Sequence, residues 1–357
     1  MKNKILLLMA ALTAFLKINA QDSDTKVILI TLDGYRWQEL FTGADPLLIG
    51  NKEYVHEVDA LKEAFWKETP QERREVLMPF FWTQVSKMGQ LHGNRNLGSK
   101  VDLTNKMWFS YPGYNEILTG AADDKNIRSN DKVPNPNTTI LERYNNTPKG
   151  KDKVAAFGSW DVFPSIINEE RSGVPVNAGF ETATENLTER EKFLNQLQVQ
   201  IPSPWGSVRL DAFTHHYVLE HMKKAHPKLV FVSYGETDDF AHDGDYQAYL
   251  KSAHNTDALI KELWDFTQQD DFYKGQTVFI ITTDHGRGTE PLDTWRSHGS
   301  DIKGANEVWV VTFGKGVKAL GEVKQEEQLH SNQIAPTILN LLDVPVPKEM
   351  EGSPLKL

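Results

Sequence analysis

The sequence predicts an α/β sandwich, a central, largely parallel sheet with helices on both faces. Three observations predict it. Short apolar runs rich in β-branched residues recur and break off in polar residues, helical patterns lie between them, and three of the runs finish in aspartate. Continuous apolar runs suit strands buried on both faces. Alternation of strand and helix is the pattern of a sheet covered on each side.

In chain order the runs are "KVILITLDG" (26–34), "KVAAFGSW" (153–160), "KLVFVSYGETD" (228–238), "QTVFIITTDHG" (276–286) and "EVWVVTFGKG" (307–316). The helical stretches are "DAFTHHYVLEHMKKAH" (211–226), "DYQAYLKSAHNTDALIKELWDF" (245–266) and "SNQIAPTILNLLDV" (331–344). Residues 51–101 mix charge with Trp66, Phe80, Phe81 and Trp82. They read as a pair of helices packing aromatics on the core, with a lid or pocket wall as the alternative. Residues 170–210, with "SGVPVNAGF" and "IPSPWGS", read as irregular loops.

Residues 1–20, "MKNKILLLMAALTAFLKINA", have a basic start, an apolar run and a small-residue end, the pattern of a secretory signal peptide. No repeat, low-complexity tract or Gly/Ser linker divides the rest of the chain, so residues 21–357 read as one catalytic domain with loop-rich insertions. Removal of the signal deletes three lysines and leaves 36 basic against 49 acidic residues, a net charge of −13. Such a chain is a poor partner for a nucleic-acid duplex, which rewards basic stripes. The absence of cysteine excludes disulfides, thiolate catalysis, zinc–thiolate sites and the acylated cysteine of a lipoprotein. No later run is long enough to span a bilayer, so a periplasmic or secreted protein is expected.

In sheets of this kind ligands bind beyond the carboxyl ends of the strands. Asp33, Asp238 and Asp284 all fall there, and repulsion among gathered carboxylates has to be offset by cations. His285 follows Asp284 directly. His242 lies four residues after Asp238, which places both on one face of a helical turn. His298, in the loop "RSHGSD", can bend toward the same place. Carboxylate mixed with imidazole suits Zn²⁺ better than Ca²⁺ or Mg²⁺. Six ligands are too many for one tetrahedral zinc and suit two. His56, His92, His215, His216, His221, His226, His254 and His330 lack a strand-end acid at ligand spacing and read as surface or capping residues. Arg36, Arg287 and Arg296 read as solvated surface residues, with contact to a substrate anion as the alternative. Ser110, in "TNKMWFSYPGYNEILTG" (104–120), is either a nucleophile near the head of a helix or a small residue in a loop.

In this order, "LITLDGYRWQELF", "FSYPGYNEILTG", "GETDDFAH", "TTDHG" and "SHGSD" resemble the alkaline phosphatase superfamily, and within it the nucleotide pyrophosphatase/phosphodiesterase branch. The resemblance runs from about residue 26 to residue 344. It implies the superfamily's three-layer sandwich and a metal-dependent phosphoric ester hydrolase. It also implies that Asp238, His242 and His298 hold one zinc, and that Asp33, Asp284 and His285 hold the other. Ser110 then stands at the nucleophile position, where the branch more often has threonine, and would pass through a phosphoserine. Asn130 falls near an asparagine that holds a nonbridging phosphoryl oxygen. Relatives specialised for monoesters carry a Lys-x-Arg pair where this chain has Trp160 and Val162, which points to a diester. Trp160 is then a substrate-binding residue, or else plain core.

Three alternatives accompany this expectation: a phosphomonoesterase, a sulfatase using the same dizinc–serine site, and a noncatalytic binding protein that keeps the fold. Formylglycine chemistry is disfavoured because Tyr114 stands where the Cys/Ser-x-Pro-x-Arg pattern needs arginine. Phosphoglycerate mutation does not suit an exported chain. The substrate expected is a small-molecule, glycan-linked or lipid-linked phosphoester.

Overall fold

The structure, a computed structural model, describes residues 24–357, so the predicted signal peptide lies outside the described residues. Its strands are β1 (Lys26–Leu32), β2 (Gly89–His92), β3 (Ser99–Asp102), β4 (Val154–Gly158), β5 (Val176–Ala178) and β6 (Leu229–Tyr234). They continue with β7 (Thr277–Thr282), β8 (Glu307–Val308), β9 (Val310–Gly314), β10 (Gly321–Glu322) and β11 (Glu327–His330). The main sheet has eight strands in the order β10-β2-β9-β7-β1-β6-β4-β5, and β11-β3-β8 form a small second sheet. In the main sheet only β9 runs against the others.

The apolar runs supply two cores at once because successive side chains of a strand point to opposite faces. Ile28, Ile30 and Leu32 of β1 join Val230, Val232 and Tyr234 of β6 and Phe279 and Ile281 of β7 in one cluster. Val27 and Leu29, Leu229 and Phe231, and Val278 and Ile280 join the other. Helices Asp211–Ala225 and Tyr246–Gln269 cover the first face through residues such as Tyr217, Met222, Tyr249 and Leu263. Helices Ser110–Thr119, Ile140–Asn145 and Ile334–Leu341 cover the second through Tyr114, Ile117, Leu141 and Ile338. This is the three-layer α/β sandwich expected from the sequence.

Two segments carry more structure than their sequence suggests. Residues 51–101 contain helices Val58–Phe65 and Pro70–Leu77, with Phe80, Phe81 and Trp82 buried in the first core, as the paired-helix reading has it. They also contain β2 and β3, four residues each and too short to show a period. Residues 170–210 are not only loops. They hold β5 and helix Glu189–Gln200, which opens on a capping box between Thr188 and Glu191. Among the described residues no helix is long and apolar enough to cross a membrane.

β1 lies between β6 and β7, and all three run the same way. Leu32 is level with Tyr234, and Thr31 with Thr282. The residues just past these strands therefore leave the sheet at one place.

Candidate functional site

Five of the six ligand candidates, and Ser110, are carried by strand ends or helices, while His298 lies in the loop after the turn Leu292–Arg296. Asp33 follows β1, while Asp284 and His285 follow β7. Asp238 and His242 sit on helix Glu236–Asp243, which begins just past β6. That helix has no capping side chain of its own. Asp211 reaches across instead and accepts from the N–H groups of Gly235 (2.7 Å) and Glu236 (3.2 Å). The acids in its first turn also suit the positive end of a helix dipole. Ser110 is the first residue of helix Ser110–Thr119. Pro112 costs nothing there, because the first N–H groups of a helix have no intrahelical partner.

Glycine at two positions lets these parts meet. A Cβ on Gly113 would stand 2.2 Å from the Asp284 carbonyl oxygen, so only glycine lets the Ser110 helix lie against the end of β7. Gly34 has φ +56°, and a Cβ there would meet the Asp238 carboxylate at 2.7 Å. Its N–H donates to Asp284 Oδ1 at 3.0 Å.

The side chains converge. His285 Nε2 is 3.3 Å from Asp33 Oδ1, 3.5 Å from Asp284 Oδ2, 3.6 Å from Asp238 Oδ1 and 3.3 Å from Ser110 Oγ. His242 Nε2 is 3.2 Å from Asp238 Oδ2 and 2.9 Å from His298 Nε2. His298 Nε2 is 3.7 Å from Asp238 Oδ1. The six ligand candidates and Ser110 thus form one cluster. Its two possible cation positions, Asp33–Asp284–His285 and Asp238–His285–His298, overlap at His285, and His242 closes on the second from the solvent side. The family resemblance assigns His285 to the first set only.

These donors fit metal cations. Asp33 Oδ1, Asp284 Oδ2 and His298 Nδ1 are buried polar atoms without a hydrogen-bond partner, and such atoms are costly to leave unsatisfied. His285 Nδ1 lies 3.0 Å from the Gly286 carbonyl, so it carries the proton and leaves the Nε2 lone pair facing the cluster. Without a cation the charges are badly matched. Burial first, and then the charge of Asp238, push the Asp33 carboxyl well above its ordinary range. Burial and then Asp33 do the same to Asp284. Asp238 is also buried, but Arg287, with His242 and His298, outweighs that and holds it well below. Burial and the neighbouring His285 push His298 down to about 2.

Asn130 and Trp160 lie with Ser110, Asp33, Asp238, His242 and His298 around a cavity of about 220 Å³. Asn130 Oδ1 accepts from the Tyr111 N–H (3.0 Å), which leaves its NH₂ as a donor. Trp160 is half-buried and packs edge-on against Phe163, so it is both cavity wall and core margin. Asp239 shares the cavity, its carboxyl pushed up to about 8 by burial and then by Asp238, Asp33 and Asp243. A larger cavity of about 1020 Å³, beside β5 and Tyr217, holds none of the predicted residues. Chemistry rather than volume picks out the smaller one.

Two residues matter in ways the sequence does not disclose. Tyr114 donates its hydroxyl to Asp33 Oδ2 at 2.7 Å. Arg287 is buried and donates to the Asp238 carboxylate and to the carbonyls of Gly34 (3.1 Å) and Arg296 (2.7 Å). The surface reading fails for Arg287, and equally for Arg36, which is buried against Glu39 and the Gly288 carbonyl. Arg296 is half-buried and donates to the His242 carbonyl at 3.2 Å. The surface-or-cap reading holds for His330, which caps the turn Ser331–Gln333, and fails for His215, which is fully buried.

Residues 166–346 match a family model described as the Metalloenzyme superfamily. A 2,3-bisphosphoglycerate-independent phosphoglycerate mutase of Campylobacter jejuni subsp. jejuni serotype O:2 is 28% identical over 173 residues, which are 46% of this chain and 32% of the mutase. The chain therefore spans about a third of the length of the curated relatives it matches. Among solved structures, the alkaline phosphatase PafA superposes with a TM-score of 0.60 at 10% identity, over 93% of this chain and 98% of PafA. The 2-O GAG sulfatase BT1596 gives 0.56 at 11% identity, over 93% of this chain and 73% of its own. At such identities these two likenesses concern the fold.

Proposed function

The chain belongs to the metalloenzyme superfamily, and from that premise we propose that it is an exported, dizinc phosphoesterase that hydrolyses phosphate diesters through a phosphoserine at Ser110. The observation that carries the reading is the Ser110 hydroxyl, at the head of a helix and 3.3 Å from His285 Nε2, facing a cluster with bare carboxylate oxygens. A hydroxyl is a weak nucleophile until it is activated. In this reading Asp33, Asp284 and His285 hold one ion next to Ser110, and Asp238, His242 and His298 hold the other. Zinc, when bound, supplies activation of the hydroxyl and neutralisation of phosphoryl and leaving-group charge.

The chain's own residues account for position. Tyr114 and the His285–Gly286 contact orient Asp33 and His285, as outer partners of metal ligands do. Asn130 offers its NH₂ to a nonbridging oxygen, and the start of the Ser110 helix favours negative charge. Phosphoryl transfer needs little more than position and charge neutralisation.

Diesters are preferred because no lysine or arginine among the described residues lines the cavity, and a diester brings one negative charge where a monoester dianion brings two. The same feature suits a sulfate monoester, also a monoanion, and that is the second reading. The curated relatives' mutase activity is not carried over, since the match spans only part of them. The substrate class proposed is a small-molecule, glycan-linked or lipid-linked phosphoester.

The test is hydrolysis of an aryl phosphate diester, an aryl phosphate monoester and an aryl sulfate by zinc-replete protein, with Ser110→Ala as control. The diester should be turned over fastest, and the variant should lose turnover while keeping its metal. Near-wild-type activity in Ser110→Ala would remove the nucleophile assignment, and faster sulfate hydrolysis would replace the diester by the sulfate reading.

A further inference from the structure

A third group of ligand atoms lies away from this centre. His215, His216 and Glu262 present atoms that all fall within 4.8 Å of one another. The two histidines are on helix Asp211–Ala225, and the glutamate is on helix Tyr246–Gln269. None of the three borders the 220 Å³ cavity. We propose that they form a separate divalent-metal site of the zinc class, which clamps the two helices that cover one face of the sheet.

One of the three spacings is already close to what an ion needs. His215 Nε2 and Glu262 Oε2 are 3.0 Å apart. Tetrahedral zinc with ligand bonds of about 2.0–2.2 Å separates its donors by roughly 3.3–3.5 Å. A few tenths of an ångström of movement closes the difference, and Glu262 can move because its side chain is 47% exposed. His215 cannot move easily, being fully buried, and its orientation is fixed from behind. Its Nδ1 lies 3.0 Å from the hydroxyl of Tyr234, the last residue of β6. Without an ion, Nε2 donates its proton to the Glu262 carboxylate, which can only accept. An ion would take that proton's place, and the tautomer with the proton on Nδ1, donated to Tyr234, would leave the Nε2 lone pair for the metal. A hydrogen bond on the far nitrogen is the usual support of a metal-ligating imidazole.

His216 supplies the third donor. It is half-buried and follows His215 directly on the same helix. Its Nδ1 now faces the exposed Arg190 guanidinium at 3.1 Å. Arg190 has a second partner to turn to, Glu220 at 3.6 Å. Two imidazoles and one carboxylate make a three-ligand zinc set with a position left for water.

The experiment is elemental analysis of the full chain after dialysis against buffered free Zn²⁺, with thermal unfolding in parallel. Wild type is compared with His216→Ala and Glu262→Ala, two partly exposed positions, and with Asp284→Asn to mark the catalytic centre separately. His216→Ala and Glu262→Ala should each hold one zinc ion fewer than wild type, and added Zn²⁺ should raise their unfolding midpoint less. Equal zinc content in wild type and both variants would overturn the proposal and leave a hydrogen-bonded His–Glu pair only. A loss in these variants with none in Asp284→Asn would sustain this site while removing the catalytic one.

Discussion

Glu116 and Asp284 are both fully buried carboxylates, and Glu116 lies on the helix that begins with Ser110. Their surroundings are opposite. Glu116 accepts from the N–H groups of Thr104 (2.9 Å) and Asn105 (2.8 Å) and from the Asn105 amide (2.8 Å), so both its oxygens are used. Asp257 is closed in the same way by the N–H groups of Phe80 (2.7 Å) and Phe81 (3.0 Å). Asp284 uses one oxygen on Gly34 and leaves the other bare, as does Asp33 with Tyr114. Burial alone therefore does not identify a ligand. The proposed metal centre rests instead on unfilled oxygens that stand beside other unfilled donors, where a cation could complete them.

This contrast can be broken most forcefully at Asp284. In Asp284→Asn, diester hydrolysis should fall by more than the ~100-fold that loss of an outer partner of a metal ligand costs, with the circular dichroism spectrum unchanged. Retained activity would mean that the bare oxygen is incidental. Tyr114→Phe removes the hydroxyl's hydrogen bonds to Asp33 and to Ser233 Oγ and should weaken metal affinity by ~10–100-fold, read by competition with a chelator. An unchanged affinity would make Tyr114 a packing residue.

Glu116→Gln sharpens the other side. The amide cannot satisfy every donor around it, so urea unfolding should show a loss of about 1–3 kcal/mol, with the turnover of folded protein kept within a few-fold. A variant as stable as wild type would deny Glu116 its structural role.

A further effect, one that depends on pH, is at Asp257, whose carboxyl is pushed up to about 7 by burial. Between its unfolded value near 3.8 and that figure, the unfolded chain releases a proton that the folded chain keeps. The stability of wild type relative to Asp257→Asn should therefore decline from about pH 4 to pH 7 and stay level above it. A difference that does not change with pH would contradict this.

The parts of the site that the sequence discloses are those written locally. Asp33, Asp284 and His285 close apolar runs, and Asp238 and His242 have helical spacing, so each pairing of residue type and position is visible within a few residues. The hidden parts depend on distant contacts. Tyr114 meets Asp33 across 81 positions, and His215 meets Glu262 across 47. Arg287 comes directly after a motif glycine, yet its burial and its bond to Asp238 come from the way the loop after β7 folds back. For the fold, the long apolar strands of the sheet centre are legible. The edge pieces β5 and β10 and the small second sheet are not, because strands of two to four residues show no pattern.

The most direct test is the metal content of purified protein equilibrated with buffered Zn²⁺, compared among wild type, Asp284→Asn and Glu116→Gln. Wild type and Glu116→Gln should bind the same number of ions, and Asp284→Asn should bind fewer. Wild-type protein without metal, or an Asp284→Asn variant with its full complement, would contradict this.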